Sequence, residues 1–362
     1  MQAQPAAQLV ILCTREPDAR TLAQLRDAAD LVQDWDAVVS LAEGQGVAAF
    51  VQQAATAAEI ALPETVRAAL QSLSIAVLVR SLQLNGDLDR IAAALVQARR
   101  PIIVLKGPVL GRTIYASPAF RPFTDLDLVV QAGDEAAVAA VLGELGYLEQ
   151  SFAAQDWWRA HGHHVHEGAA FHRTFLGDRQ RLVELHADPL QLGLQPVGEA
   201  ARWHRAVPIP ALSDALMLGR EDQLVQLSVH LHKHGFGRLI WLKDIDLLVR
   251  TSAGLDWDLV ESAARAEGVT SSIWHSLRLA VLLLGTPVPT SIVKRFRPPI
   301  WSRVVDQLIW PTKRVAALQG TMRRRAIQFD AAESWRGVLP GLLIMGRRRD
   351  RARALLRWMR VR

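Results

Sequence analysis

Two short apolar runs interrupt a chain whose remaining apolar residues recur at helical spacing. Ile102-Ile103-Val104-Leu105 is rich in β-branched residues and ends in Lys106-Gly107. Asp125-Leu126-Asp127-Leu128-Val129-Val130 follows a segment broken by Ser117-Pro118 and Arg121-Pro122. Both runs have the length and composition of strands. Helical stripes come before them: Leu22, Leu25, Ala29 and Val32, then Val66, Leu70, Leu73 and Val77 after Pro63, then Leu78, Leu82, Leu88, Ile91 and Leu95. Asp34 or Asp36 is placed to cap the helix that enters at Ala37. The expected class is α+β, a small mixed sheet flanked by helical domains.

The pattern divides the chain into four parts. Residues 1–100 read as an N-terminal helical domain. Residues 101–212 read as a mixed unit: strand, short helix at 108–115 with proline in its first turn, strand, helix at 135–145 stopped by Gly146, then strands near 165–171 and 181–186. Residues 213–285 return to helical spacing through Leu216, Leu224, Leu227 and Leu231. Residues 286–362 read as irregular and basic. A chain of 362 residues exceeds the ~250–300 residues at which single cores stop growing, so more than one core is expected.

The single cysteine, Cys13, excludes a disulfide framework and a multi-thiolate zinc site. The start Met1-Gln2-Ala3-Gln4-Pro5 lacks the positive region of a secretory signal, and no run approaches the ~20 apolar residues of a membrane span. The expectation is a cytoplasmic protein without a transmembrane segment. Its net charge of +6 gathers in Arg323-Arg324-Arg325 and in residues 347–362. That tail reads either as a surface for an anionic partner, a membrane or a nucleic acid, or as a solvated helix packed on the protein.

The chemistry begins with Asp125 and Asp127. Strand side chains alternate, so these carboxylates share a face while Leu126 and Leu128 turn to the core. Adjacent carboxylates repel unless a cation lies between them, and hard oxygen ligands suit Mg²⁺. The same spacing also describes a solvated strand end. Lys106-Gly107 offers a cation and open backbone N–H groups at a strand-to-helix turn, although no Walker A sequence is present. Glu184, inside Leu182-Val183-Glu184-Leu185-His186, completes a carboxylate triad if its strand lies beside that of Asp125.

These residues carry a family resemblance. Leu105-Lys106-Gly107, Tyr115, Arg121-Pro122, the stretch from Thr124 to Val129 and Val183-Glu184-Leu185-His186 resemble an uncharacterised bacterial nucleotidyltransferase family of the polymerase-beta-like superfamily. Asp34-Trp35-Asp36, His234-Gly235 and Leu242-Lys243-Asp244 resemble its flanking segments. The likeness covers roughly residues 8–285, with 105–130 its most specific part. It implies Mg²⁺-dependent transfer from a nucleoside triphosphate, with ATP the expected donor. Asp125, Asp127 and Glu184 are the implied metal ligands and catalytic residues. Lys106, Gly107, Arg121, Thr124, His186, His234, Lys243 and Asp244 are the implied nucleotide contacts. The superfamily's usual glycine-serine loop is replaced here by Lys106-Gly107. Acceptors of such enzymes are mostly unknown, and a peptide or glycan is among the classes expected.

Three further features are weighed beside these. His161, His163, His164, His166 and His172 read as a strand and loop bordering the site, or as a transition-metal site if three of them converge. His230 and His234 share a helix face, but H-E-x-x-H is absent, which argues against a metalloprotease. Asp244 and Asp246 form a second D-x-D on a helix, where residues two apart diverge by ~200°, so they are not read as a metal pair. Alternative functions on the same scaffold are sugar or phosphoryl transfer from a nucleotide donor, and a catalytically silent nucleotide-binding module.

Overall fold

The β-type runs form strands because one sheet takes up side chains on both of its faces. In this computed structural model, which describes residues 5–150, 173–178, 181–190, 199–252 and 254–298, β1 (Ile102–Val104) pairs antiparallel with β2 (Asp125–Val130). On the other side of β2, β5 (Arg181–His186) runs parallel to it. β4 (Arg173–Gly177) and β3 (Leu148–Gln150) extend that flank as antiparallel neighbours. The opposite flank is β7 (Leu212–Met217), parallel to β1, and β6 (Val207–Ile209), antiparallel to β7. The order is β3-β4-β5-β2-β1-β7-β6, a mixed sheet flanked by helices, as expected for the α+β class. The histidine run at 161–172, the strand expected at 165–171 and the arginine-rich tail at 347–362 lie outside the described residues.

The fold departs from the sequence reading at β7. Residues 213–217 carry helical spacing through Leu212 and Leu216, yet they form a strand. Strand β1 decides this: Leu216 sits opposite Ile103 and Met217 opposite Val104. Strand preference depends on the neighbour that completes the ladder, and no local pattern reports that neighbour.

Two cores result. One sheet face packs Ile102, Val104, Leu126, Leu128, Val183 and Leu185 against Leu84, Leu88, Ile91 and Leu95 of α5 (Glu64–Gln97) and against Val138 and Leu142 of α7 (Glu135–Glu144). Helix α5 fuses two of the expected helical stripes into one rod of 34 residues, about 51 Å long. Its first half puts Val66 and Leu70 into a second, helical core. That core unites α1 (Pro5–Cys13) and its successors with the helices Arg220–Lys233 and Leu239–Thr251, so segments at both ends of the described chain share one interior. At its entry Asp34 is the cap, accepting from Ala37 N at 3.0 Å, and Asp36 lies in the first turn. By length and composition α5 also passes as a membrane span, contrary to the expectation that no stretch would. Half of it is the cover of the sheet, and it carries Arg80, Asp87, Asp89 and Arg90.

The loop that enters β2 is tied to the helical core by a buried ion pair. Arg121 donates from Nε and Nη2 to the two oxygens of Asp244, each at 2.7 Å, and Tyr115 Oη donates to Asp244 Oδ1 at 2.6 Å. All three residues are buried. Removing one partner of such a pair strands the other charge away from water. Asp244→Ala is therefore expected to lower unfolding free energy by about 3–5 kcal/mol in denaturant titration. A loss below about 1 kcal/mol would show that water reaches Arg121 and that the pair does not anchor the loop.

Candidate active site

The central strands bring the predicted carboxylates together by register. Asp127 on β2 lies opposite Glu184 on β5, and Val129 lies opposite His186. Parallel neighbours in register point to one face, and Asp125 and Asp127 share that face by the period of two. The face is otherwise apolar near β1, where Ile103, Leu105, Val129 and Leu218 form a small cluster with Trp203. The acids therefore sit at the edge of a low-dielectric patch.

Lys106 and His186 both reach Asp127. Lys106 Nζ lies 3.1 Å from Asp127 Oδ2, and His186 Nε2 lies 2.9 Å from Asp127 Oδ1 and 3.5 Å from Glu184 Oε2. Burial by itself would raise the Asp127 carboxyl. Lys106 and His186 outweigh it and hold that carboxyl well below the usual range. Asp125 goes the other way: burial and then the charge of Asp127 push it up to about 6, against the pull of Lys106. Burial disfavours the charged form of His186, but its hydrogen bonds to Asp127 and Glu184 leave its pKa raised.

Residue types at the turn have local reasons. Lys106 adopts φ +57° although it is not glycine. Such a backbone costs roughly 1–3 kcal/mol and persists only where the surroundings hold it. Here Leu105 N donates to Asp127 O at 3.0 Å on one side, and Lys106 O accepts from Leu110 N at 2.9 Å on the other. Gly107 begins α6 (Gly107–Thr113). A Cβ there would lie 2.5 Å from Phe123 Cβ, so glycine lets the turn close on the segment leading into β2.

The donor set fits a divalent cation. One ligand atom each from Asp127, Glu184 and His186 lies within 4.8 Å of the others. Directly opposite Glu184 on β4, Thr174 is buried and its hydroxyl oxygen lacks a hydrogen-bond partner among the described residues, a polar group that a bound water could satisfy. Asp125 stands two residues along from Asp127 and outside that tightest group. Other predicted contacts have protein partners of their own. Arg121 and Asp244 pair with each other in the anchor described above. Lys243 donates to Asp246 at 2.8 Å, and Asp246 also accepts from Arg250 and Thr286 at 2.8 and 2.7 Å. The two aspartates of the second D-x-D thus serve different cations. Thr124 is exposed, and its carbonyl accepts from Arg80 at 3.2 Å. His234 caps the helix Arg220–Lys233, with its ring 4.6 Å from that of His230 and 5.1 Å from that of Trp241.

A profile of a family described as uncharacterised nucleotidyltransferase matches residues 32–285, more than half of the chain. The chain belongs to that family. No individual curated protein matches it. The matched span includes both strands that carry Asp125, Asp127 and Glu184.

The structure also brings in residues that pattern reading passed over. Asp188 follows β5 by two residues and is buried, with Oδ1 accepting from Leu190 N at 2.8 Å. Lys233 ends the helix Arg220–Lys233, and burial pushes its ammonium down to about 8. Its neighbours His230, His232 and His234 drew attention in the sequence. The lysine among them did not, because its burial depends on the helical core around it.

Gly107→Ala is expected to destabilise the fold by about 1–3 kcal/mol, the usual cost of overpacking. Thermal unfolding checks it, and an unchanged midpoint would show that Phe123 moves aside freely.

Proposed function

We propose that the protein transfers a nucleotidyl group from a nucleoside triphosphate, with ATP the favoured donor, to an acceptor hydroxyl or phosphate. The observation that carries this reading is the register of β2 on β5, which sets Asp127 beside Glu184 with Lys106 at the strand end. Asp127 and Glu184 would hold Mg²⁺, with Asp125 on the same face and His186 at their side. A divalent metal supplies Lewis-acid polarisation of the phosphoryl group and lowers the pKa of the attacking oxygen.

The chain's own groups do the remainder. Asp127 is kept ionised by Lys106 and His186, so its oxygens are available as ligands at neutral pH. Lys106 offsets phosphate charge, and the backbone at Gly107 approaches the phosphates without a side chain in the way. The apolar patch of Ile103, Leu105 and Val129 lowers the local dielectric and strengthens each of these attractions. In the reaction the acceptor oxygen bonds to the α-phosphorus. The bond from that phosphorus to the bridging oxygen breaks, pyrophosphate leaves, and the acceptor's proton is released.

Incubating the protein with ATP and a cell extract distinguishes the readings by label. An α-phosphate label on the acceptor supports nucleotidyl transfer, while a γ-phosphate label supports phosphoryl transfer and overturns it. Asp127→Asn and Glu184→Gln are each expected to lower labelling at least about a thousandfold, since several kcal/mol of transition-state stabilisation goes with the metal. Chelation should abolish labelling and added Mg²⁺ should restore it. Full activity in chelator, or in either folded variant, would remove the metal from the reading.

A further inference from the structure

Thr174 stands in a polar row that crosses four strands. Gln150 on β3 pairs with Thr174 on β4, Thr174 pairs with Glu184 on β5, and Glu184 pairs with Asp127 on β2. Residues directly opposite in a ladder point to the same face of the sheet. The neighbours of Thr174 give the same sense. Phe175 enters the core under α5 and α7, and Arg173 Nη1 donates to the carbonyl of Glu135 on α7 at 3.1 Å. Thr174, between them, turns to the other face, the one that carries the carboxylates.

A hydroxyl in that position needs a reason. Thr174 is 2% exposed, and among the described residues its Oγ1 has no hydrogen-bond partner. A buried hydroxyl without a partner costs free energy that a valine of nearly the same shape would avoid. The row sets two side chains beside it. Gln150 turns its amide nitrogen to the carbonyl of Leu148 at 3.1 Å. Glu184, when ionised, accepts hydrogen bonds at both oxygens and donates none. Side chains directly opposite across an antiparallel pair have Cβ atoms about 4.5–5.5 Å apart, within reach of one bond from a threonine to a glutamate. The predicted metal ligands are also held unequally. Asp127 is gripped at 2.9 Å by His186 and at 3.1 Å by Lys106, whereas His186 stands 3.5 Å from Glu184. A cation between the two acids draws one Glu184 oxygen onto itself and leaves the other to be oriented by the protein. Outer partners of this kind set the direction of a ligand and the affinity of its metal.

Resting on the reading of Asp127 and Glu184 as metal ligands, we propose that Thr174 is a positioning residue for Glu184, its hydroxyl donating to the carboxylate oxygen that faces away from a bound divalent cation. In the metal-free protein a water can stand in for that oxygen. The bond is charge-assisted, since its acceptor is a carboxylate, and a serine can replace it where a valine cannot.

Titration calorimetry of the full chain with Mg²⁺ alone and with Mn²⁺ alone tests this, beside thermal unfolding in chelator. Thr174→Val is expected to weaken both metals roughly 10- to 100-fold. Its unfolding midpoint in chelator should equal or exceed that of the wild type, because valine fills the same space with no hydroxyl to satisfy. Thr174→Ser is expected to bind both metals as the wild type does. Unchanged metal affinity in Thr174→Val overturns the proposal and leaves the metal reading of the acids standing. Weakened affinity with a lowered midpoint and no rescue by serine also overturns it, because that result marks Thr174 as a structural member of the row beside Gln150. If the wild-type protein itself binds neither metal, the metal reading falls and this proposal falls with it. Thr174→Ala carries the same test should the valine variant fail to fold.

Discussion

Repulsion between two carboxylates organises the centre of this molecule. The register of β2 on β5 forces Asp127 beside Glu184, and the sheet gives neither room to turn away. Such a pair is tolerated only where positive charge is at hand. In the protein alone that charge comes from Lys106 and His186, both within hydrogen-bonding reach of Asp127. Asp125, left with less compensation, responds by holding its proton more tightly. The strained backbone at Lys106 belongs to the same arrangement, since it delivers the ammonium to the strand end where the carboxylates emerge.

The surrounding architecture keeps those groups in place. Helix α5 covers the apolar face of the sheet and runs on into the helical core, so both cores share one rigid element. The Arg121–Asp244 pair fastens the loop before β2 to the helix Leu239–Thr251. Buried ion pairs contribute little net stability, but they penalise any arrangement in which the partners separate. Here the penalty fixes where Asp125 and Asp127 begin, relative to the helical layer. Of the residues that resemble nucleotide contacts in the sequence, Arg121 and Asp244 make this anchor, while Lys243 pairs with Asp246.

The sequence made some of this legible. Alternation around Asp125 and Asp127 placed both on one face of a strand, and the interruption of an apolar strand by Glu184 marked it as unusual. Asp34, Gly146 and the helical stripes of α5 announced their roles through local chemistry that acts within a turn or two. Residues 213–217 defeated the same approach. Their leucine spacing suits a helix, and only the presence of β1 as a parallel partner makes them a strand.

The sequence by itself determined the class of fold, the strand that bears the D-x-D and the residue types able to hold a cation and a phosphate. Those follow from periodicity and side-chain chemistry, which act over a few residues. The tertiary structure decided which carboxylate faces which, placing Asp127 rather than Asp125 opposite Glu184, and which cations stay with the acids. It also sent the second D-x-D into two separate ion pairs. Register and helix docking join residues far apart in the chain, and their energies depend on neighbours that no local pattern records.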